Sequence, residues 1–289
     1  MAPDPMKIHA TPKLSDGRMV LAFSGWMDGG DVSTGTVNWL VDVLNAEKAA
    51  EIDPEAFYIY NFPGSMEISA LFRPHAEIEG GVVKTFEPPT NRFFCHEGSD
   101  LLLFSGKEPH LGWSQFAECI FSLASRLGVS TLYFVGSFGG LVPHTRAPRL
   151  IITVSDESLR PTVEQYGLAF ADYEGPASFA TYLMTRAADS NLRMISLVAE
   201  IPAYIEGTNP KCIEAVIRKL TAILGLQVNL DDLRTVSDAW EQRLNRVLKR
   251  KSDLAKHIRK LEEDYDNEVF DTQMGDLKQW LEQQGVRVD

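Results

Sequence analysis

The chain has 289 residues, 44% of them hydrophobic and 24% charged, enough to bury a full-sized core in one large α/β domain with an appendage. Its formal net charge of −12 opposes broad affinity for nucleic acid or anionic membrane, since both need attraction to phosphate. Cys95, Cys119 and Cys212 are far apart and form no C-x-x-C pair, which excludes a disulfide framework or zinc knuckle and predicts reduced thiols in the cytoplasm.

The start, Met1 to Lys7, carries Asp4 and no apolar stretch, unlike a signal peptide. No apolar run approaches the roughly 20 residues that cross a bilayer. Met19–Ser24 reads as a buried strand and Val32–Leu44 as a helix. Phe57–Asn61 reads as a second strand, and Gly81–Phe86 as a weaker one at an edge. Asp100–Ser105 is a strongly apolar strand followed by a helix over Ser114–Leu127. Thr131–Val135 and Leu150–Ser155 are further strands. Pro176–Ala188 reads as a helix with proline in its first turn, where the missing N–H costs nothing. Arg193–Ala199 is a strand, and Asn209–Leu224 a helix stopped by Gly225. This alternation predicts an α/β/α sandwich with a mostly parallel or mixed central sheet over residues 1–230.

From residue 231 the pattern changes. Leu233, Val236, Trp240, Leu244, Val247, Leu254, Ile258, Leu261 and Tyr265 recur at three- and four-residue steps, broken once by Lys251. They predict a long amphipathic helix. A shorter one is expected from Thr272 to Gln284, with Leu277, Trp280 and Leu281, after a turn around Asn267–Asp271. The apolar stripe needs cover from the second helix, the main domain or another subunit. A basic run (Arg243, Arg246, Lys249, Arg250, Lys251, Lys256, Arg259, Lys260) precedes Glu262, Glu263, Asp264 and Asp266. This is read as a solvated face whose two halves pair in a hairpin or between subunits, rather than as a nucleic-acid contact.

In open α/β sheets ligands sit beyond the carboxyl ends of the strands. After the first strand come Gly25-Trp26-Met27-Asp28-Gly29-Gly30-Asp31. The glycines permit a sharp turn and close approach of the backbone, and Asp31 or Ser33 can cap the helix. The backbone N–H groups there suit an anion, although the two aspartates repel one. The loop matches no G-x-G-x-x-G, and the chain has no G-x-x-x-x-G-K-[ST], so no cofactor is expected, and no metal. The next loops carry Glu108-Pro109-His110, then Pro143-His144-Thr145-Arg146, then Glu200-Ile201-Pro202-Ala203-Tyr204. Glu108 is a candidate base or acceptor. His144 beside Arg146 suits proton transfer or anion binding, with Glu200 a second catalytic candidate. Each segment also has a plain structural reading as a turn, a cap or a loop ion pair. Gly25, Trp26, Asp28, Gly30, Glu108, His144, Thr145 and Arg146 are the ligand-binding candidates if these loops meet on one rim.

The order Gly25-Trp26-x-Asp28-x-Gly30, Gly106-x-Glu108-Pro109 with Trp113, Pro143-His144-Thr145-Arg146, Tyr173-x-Gly175-Pro176 and Pro202-x-Tyr204 resembles the proteasome assembly chaperone 2 family, over roughly Met19 to Leu233. The helical tail is similar to that of actinobacterial members, while Ala147 departs from a Thr-Arg-Pro form common in the family. The resemblance implies a phosphorylase/hydrolase-like sandwich similar to purine nucleoside phosphorylase, homo-oligomers that are often trimers, and relatives that help assemble proteasomes. Some relatives grip the proteasome with a terminal hydrophobic-Tyr-x tail. This chain ends Val286-Arg287-Val288-Asp289, with valine in the tyrosine's place. The function expected is a non-enzymatic binding or assembly protein that uses the C-terminal helices for a protein partner. The alternative is an enzyme or binding protein for a small anionic or nucleoside-like ligand, with Arg146 holding the anion, His144 moving a proton, and Asp28 or Glu200 orienting the substrate.

Overall fold

The five apolar residues at 19–23 are buried, with Met19, Leu21 and Phe23 facing one helical layer and Val20 and Ala22 the other. That two-sided burial marks a central parallel strand covered by helices on both faces. The computed structural model describes residues 5–248 and 252–283. In chain order the elements are β1 (Met6–Ile8), β2 (Gly17–Ser24), α1 (Val32–Leu44), β3 (Glu47–Ile52), α2 (Met66–Ala70), β4 (His75–Glu79), β5 (Val82–Glu87), β6 (Arg92–His96) and β7 (Leu101–Lys107). They continue with α3 (Trp113–Arg126), β8 (Val129–Gly140), β9 (Arg149–Val154), α4 (Arg160–Glu164), β10 (Ala169–Phe170), α5 (Phe179–Ala187), β11 (Arg193–Pro202), α6 (Pro210–Leu224), α7 (Asp231–Leu248) and α8 (Ser252–Gln283).

Among the described residues nine strands form one sheet in the order β1-β3-β6-β7-β2-β8-β11-β9-β10. The four central strands β7, β2, β8 and β11 run parallel, so their carboxyl ends share one lip. The sheet is mixed: β6 pairs antiparallel with β7, and β9 with β11. The helices α1 and α6 cover one face and α3 and α5 the other, which makes three layers. On the α3/α5 side Phe23 lies 5.2 Å from Phe104 and edge-on to Phe179 at 5.3 Å, an arrangement that favours aromatic pairs.

Several sequence expectations need correction. Phe57–Asn61 is not a strand. Phe57 instead plugs the α3 side, edge-on to Phe116 at 5.0 Å, and the Tyr58 hydroxyl donates to Asn91 Oδ1 at 2.7 Å. The strand after α1 is β3, directly behind the helix and half charged in sequence. The Gly81–Phe86 segment does not edge the main sheet. It forms β5 of a separate hairpin with β4 around Gly80-Gly81, both at positive φ as a tight primed turn requires. Pro176 precedes α5, whose N-cap is Ser178, with its Oγ accepting from Thr181 N. No turn falls at Asn267–Asp271, because α8 runs through it. That stretch has neither glycine nor proline, and polarity alone does not break the i→i−4 ladder. The side chains of Leu277, Trp280 and Leu281, residues 249–251 and the terminal Val286–Asp289 lie outside the described residues.

The C-terminal helices lie against the core. Helix α7 packs on α6, and Leu248 and Ile258 are buried.

Candidate functional site

The parallel pairing of β2, β7 and β8 does bring the loops after them to one lip. Backbone Asp28 bridges to Ser137, and Ser137 N–H donates to Met27 O at 2.8 Å. The Ser137 hydroxyl donates to Gly29 O at 2.7 Å. Gly25 adopts φ 129°, and the turn brings it against the Glu108 side chain.

The candidates on that lip fall into two groups, whose charged side chains are engaged within the fold. In the first, Glu108 bridges two elements: Oε2 accepts from Trp26 N at 3.1 Å and Oε1 from Phe179 N at 2.7 Å. Asp28, rather than Asp31 or Ser33, caps α1. Its Oδ1 accepts from Thr34 N at 3.1 Å and its Oδ2 from the Thr34 hydroxyl at 2.7 Å. Asp31 sits at φ 53° with no cap bond, and Ser33 is turned inward between Phe23 and Val135. The anion at this helix start is therefore the chain's own carboxylate. Burial pushes Asp28 up to about 6, against the hydrogen bonds from Thr34. Gly30, at φ 64°, packs against Asn209, the N-cap of α6. Trp26 is 64% exposed.

In the second group the C-terminal helices cover the β8–β9 loop. His144 is buried. Its Nε2 lies 3.1 Å from Asn245 Oδ1 on α7, and its Nδ1 receives the Tyr204 hydroxyl at 2.7 Å. That hydroxyl in turn accepts from His144 N–H at 2.9 Å. Burial lowers the imidazole's affinity for a proton below that of a free histidine. Thr145 donates to Glu262 on α8. Arg146 forms a bidentate pair with Asp266, both contacts at 2.7 Å. Glu200 accepts from Leu141 N at 2.8 Å and pairs with Arg149 at 3.0 Å. Arg149 also reaches Glu268 at 2.6 Å and lies over the Tyr265 ring.

Asp28 and Glu108 thus meet separate partners from those of His144, Thr145, Arg146 and Glu200. Arg146 and His144 line a crevice of about 10 Å³ beside Trp240 of α7, and their polar atoms are taken by α7 and α8. Among the described residues Glu262 and Asp266 after the basic run, with Glu268, pair with Arg146 and Arg149, whereas the sequence reading paired the acidic and basic halves in a hairpin or between subunits. Sequence reasoning missed Arg149 and the acidic face of α8. The signal was present in the spacing of Glu262, Tyr265, Asp266 and Glu268, at helical steps on one face.

Residues 22–248 match the PAC2 family. A PAC2 family protein from Streptomyces avermitilis is 28% identical, with a TM-score of 0.72 over 84% of this chain and 99% of that one. A proteasome-assembly chaperone homologue from Mycobacterium tuberculosis is 27% identical, with a TM-score of 0.72 over 83% and 99%. An archaeal proteasome activator from Pyrococcus furiosus shares the fold at 20% identity and a TM-score of 0.61, over 85% and 99%. No curated protein matches the chain. Among the described residues no helix is long and apolar enough to cross a membrane.

Proposed function

The chain belongs to the PAC2 family, and from that membership we propose that it is a non-enzymatic assembly protein of the cytoplasm. It works as a homo-oligomer, a trimer being the first state to test, and it binds other chains through protein surface rather than through a reactive centre. The observation that supports this reading most is the β4–β5 hairpin. Its register sets Ala76 opposite Phe86 and, across a bulge at Lys84, Ile78 opposite Val83, so these apolar side chains gather on one face. Ile78, Val83 and Phe86 are 65%, 62% and 61% exposed. An isolated two-stranded hairpin is marginal in water, and a bare apolar face of this kind marks an association surface. The sheet lip presents further exposed apolar side chains, Trp26, Leu111, Leu141 and Tyr173.

The state of the acid, base and anion-holding candidates agrees with this reading, because Glu108, His144, Arg146 and Glu200 are spent on contacts that hold loops and helices together. The kinship with a proteasome-assembly chaperone homologue makes proteasome subunits the protein partner to test first. The C-terminal helices present Val236, Val247 and Phe270 to solvent, which gives such a partner a second surface. Light scattering of the wild-type chain and of an I78S/V83S/F86S variant tests the reading. An oligomer that the variant loses supports it. A wild-type monomer at micromolar concentration, or an unchanged variant, contradicts it.

A further inference from the structure

A cavity of about 380 Å³ opens where β2 and β7 end side by side. Its inner wall is built from Ser24, Ser105 and Lys107 at the strand ends, with Thr34 of α1. Its outer wall is the root of the hairpin, where Arg73 and His75 enter and Glu87 leaves, stiffened by Pro74, Pro88 and Pro89. The helices that follow β2 and β7 leave on opposite faces of the sheet, so the cavity sits at a topological switch point, the usual place for a ligand in such folds. Its volume lies in the range of small-molecule sites.

The charge of the lining is unusual for a chain of net charge −12. Lys107 is half-buried, and its ammonium lies 5.9 Å from the Tyr58 ring centroid. Among the described residues neither Lys107 nor Arg73 is in an ion pair. Glu87 supplies negative charge to the lining, but the hairpin register sets it opposite His75. A partly desolvated ammonium without a carboxylate is costly, and an anion entering the cavity would remove that cost. Burial already weakens the hold of Lys107 on its proton, the direction expected when no counter-charge is present.

We infer that this cleft binds a small organic oxyanion, a phosphate ester or polycarboxylate, held between Lys107 of the sheet lip and Arg73 of the hairpin root, with the Ser24 and Ser105 hydroxyls as donors. Because the two cations belong to different walls, the ligand fastens the hairpin to the sheet. This site is separate from the Arg146 loop, and it stands whether or not the hairpin face makes the oligomer.

The test is calorimetric titration of the full-length chain at low salt, with pyrophosphate and, separately, with citrate. Saturable one-to-one binding of at least one probe is expected. Pyrophosphate alone assigns a phosphate ligand, citrate alone a carboxylate, and both together the shared oxyanion chemistry. K107M and R73Q should each raise Kd roughly tenfold or more, since a charge-assisted hydrogen bond is lost. R73Q alters an exposed residue and keeps the test valid should K107M fold poorly. Amide exchange across residues 73–90 should slow when the probe is bound. Absence of binding by both probes at millimolar concentration overturns the assignment. So does a Kd unchanged in both variants, or binding that leaves exchange in that segment untouched.

Discussion

Arg146 donates two hydrogen bonds, each 2.7 Å long, to the carboxylate of Asp266, a residue 120 positions further along the chain. The pair clamps α8 onto the β8–β9 loop, with Thr145–Glu262 and Arg149–Glu268 beside it. Asp266 and Glu268 are more than half exposed, so salt weakens the clamp. Limited proteolysis should therefore cut α8 faster in R146A than in wild type. Added sodium chloride should speed cleavage of the wild type and have little effect on R146A. Equal cleavage rates in both proteins at low salt would show that the clamp does not hold the helix.

Glu108 joins the turn after β2 to the start of α5 through one carboxylate. Truncation in E108A leaves the N–H groups of Trp26 and Phe179 without their acceptor. The Trp26 contact is exposed and water can replace it, but the Phe179 N–H is partly buried. A buried donor left unmet costs about 1–3 kcal/mol, so E108A should lose on the order of 1 kcal/mol in urea unfolding. E108Q keeps one acceptor oxygen and should lose less. If the two variants are equally stable, the bridge contributes nothing.

Asp28 gives a pH prediction. Its folded pKa, about 6, lies above the ordinary value of 3.8, mainly because burial disfavours the charge. Between these values the folded state holds more protons than the unfolded one, so this group removes stability as pH rises from about 4 to about 6. The D28N variant has no such charge. Its melting temperature relative to wild type should therefore rise between pH 4 and pH 7, by an amount equivalent to about 1–2 kcal/mol. A flat difference across that range would place Asp28 in a more solvated setting.

His144 acts in the opposite direction. Its folded pKa is depressed, chiefly by burial, so its contribution is complete above the ordinary histidine value of 6.5 and is lost as pH falls below it. Exchange protection of α7 around Asn245 should fall on acidification in wild type. The loss should be smaller in H144Q, which keeps a hydrogen-bonding side chain without the titration. Identical acid profiles would remove His144 as the cause.

Much of the fold was legible in sequence because its central strands are continuous apolar runs. The α1 boundaries read from Val32 to Leu44 are those observed. The flanks were less legible. β3 mixes three charged residues with two alanines, and β6 is short, so both owe their pairing to tertiary neighbours rather than to local preference. Phe57 and Tyr58 have the residue types of a strand, but they fill a gap under α3. The loops of the site were found because they follow strands, yet their partners could not be foreseen. Nothing local to Arg146 points to Asp266, and nothing local to Glu108 points to Phe179. The Lys107 cleft was hidden for the same reason, since its second wall comes from a hairpin of which the sequence reading had only the second strand, Gly81–Phe86, at a sheet edge.

The measurement that bears most directly on the assembly reading is the mass in solution of the wild-type chain beside I78S/V83S/F86S. Sedimentation should give a multiple of 32.2 kDa for the wild type and 32.2 kDa for the variant, with α/β circular dichroism retained in both. A wild type that sediments at 32.2 kDa, or a folded variant that keeps the wild-type mass, would contradict association through the hairpin face.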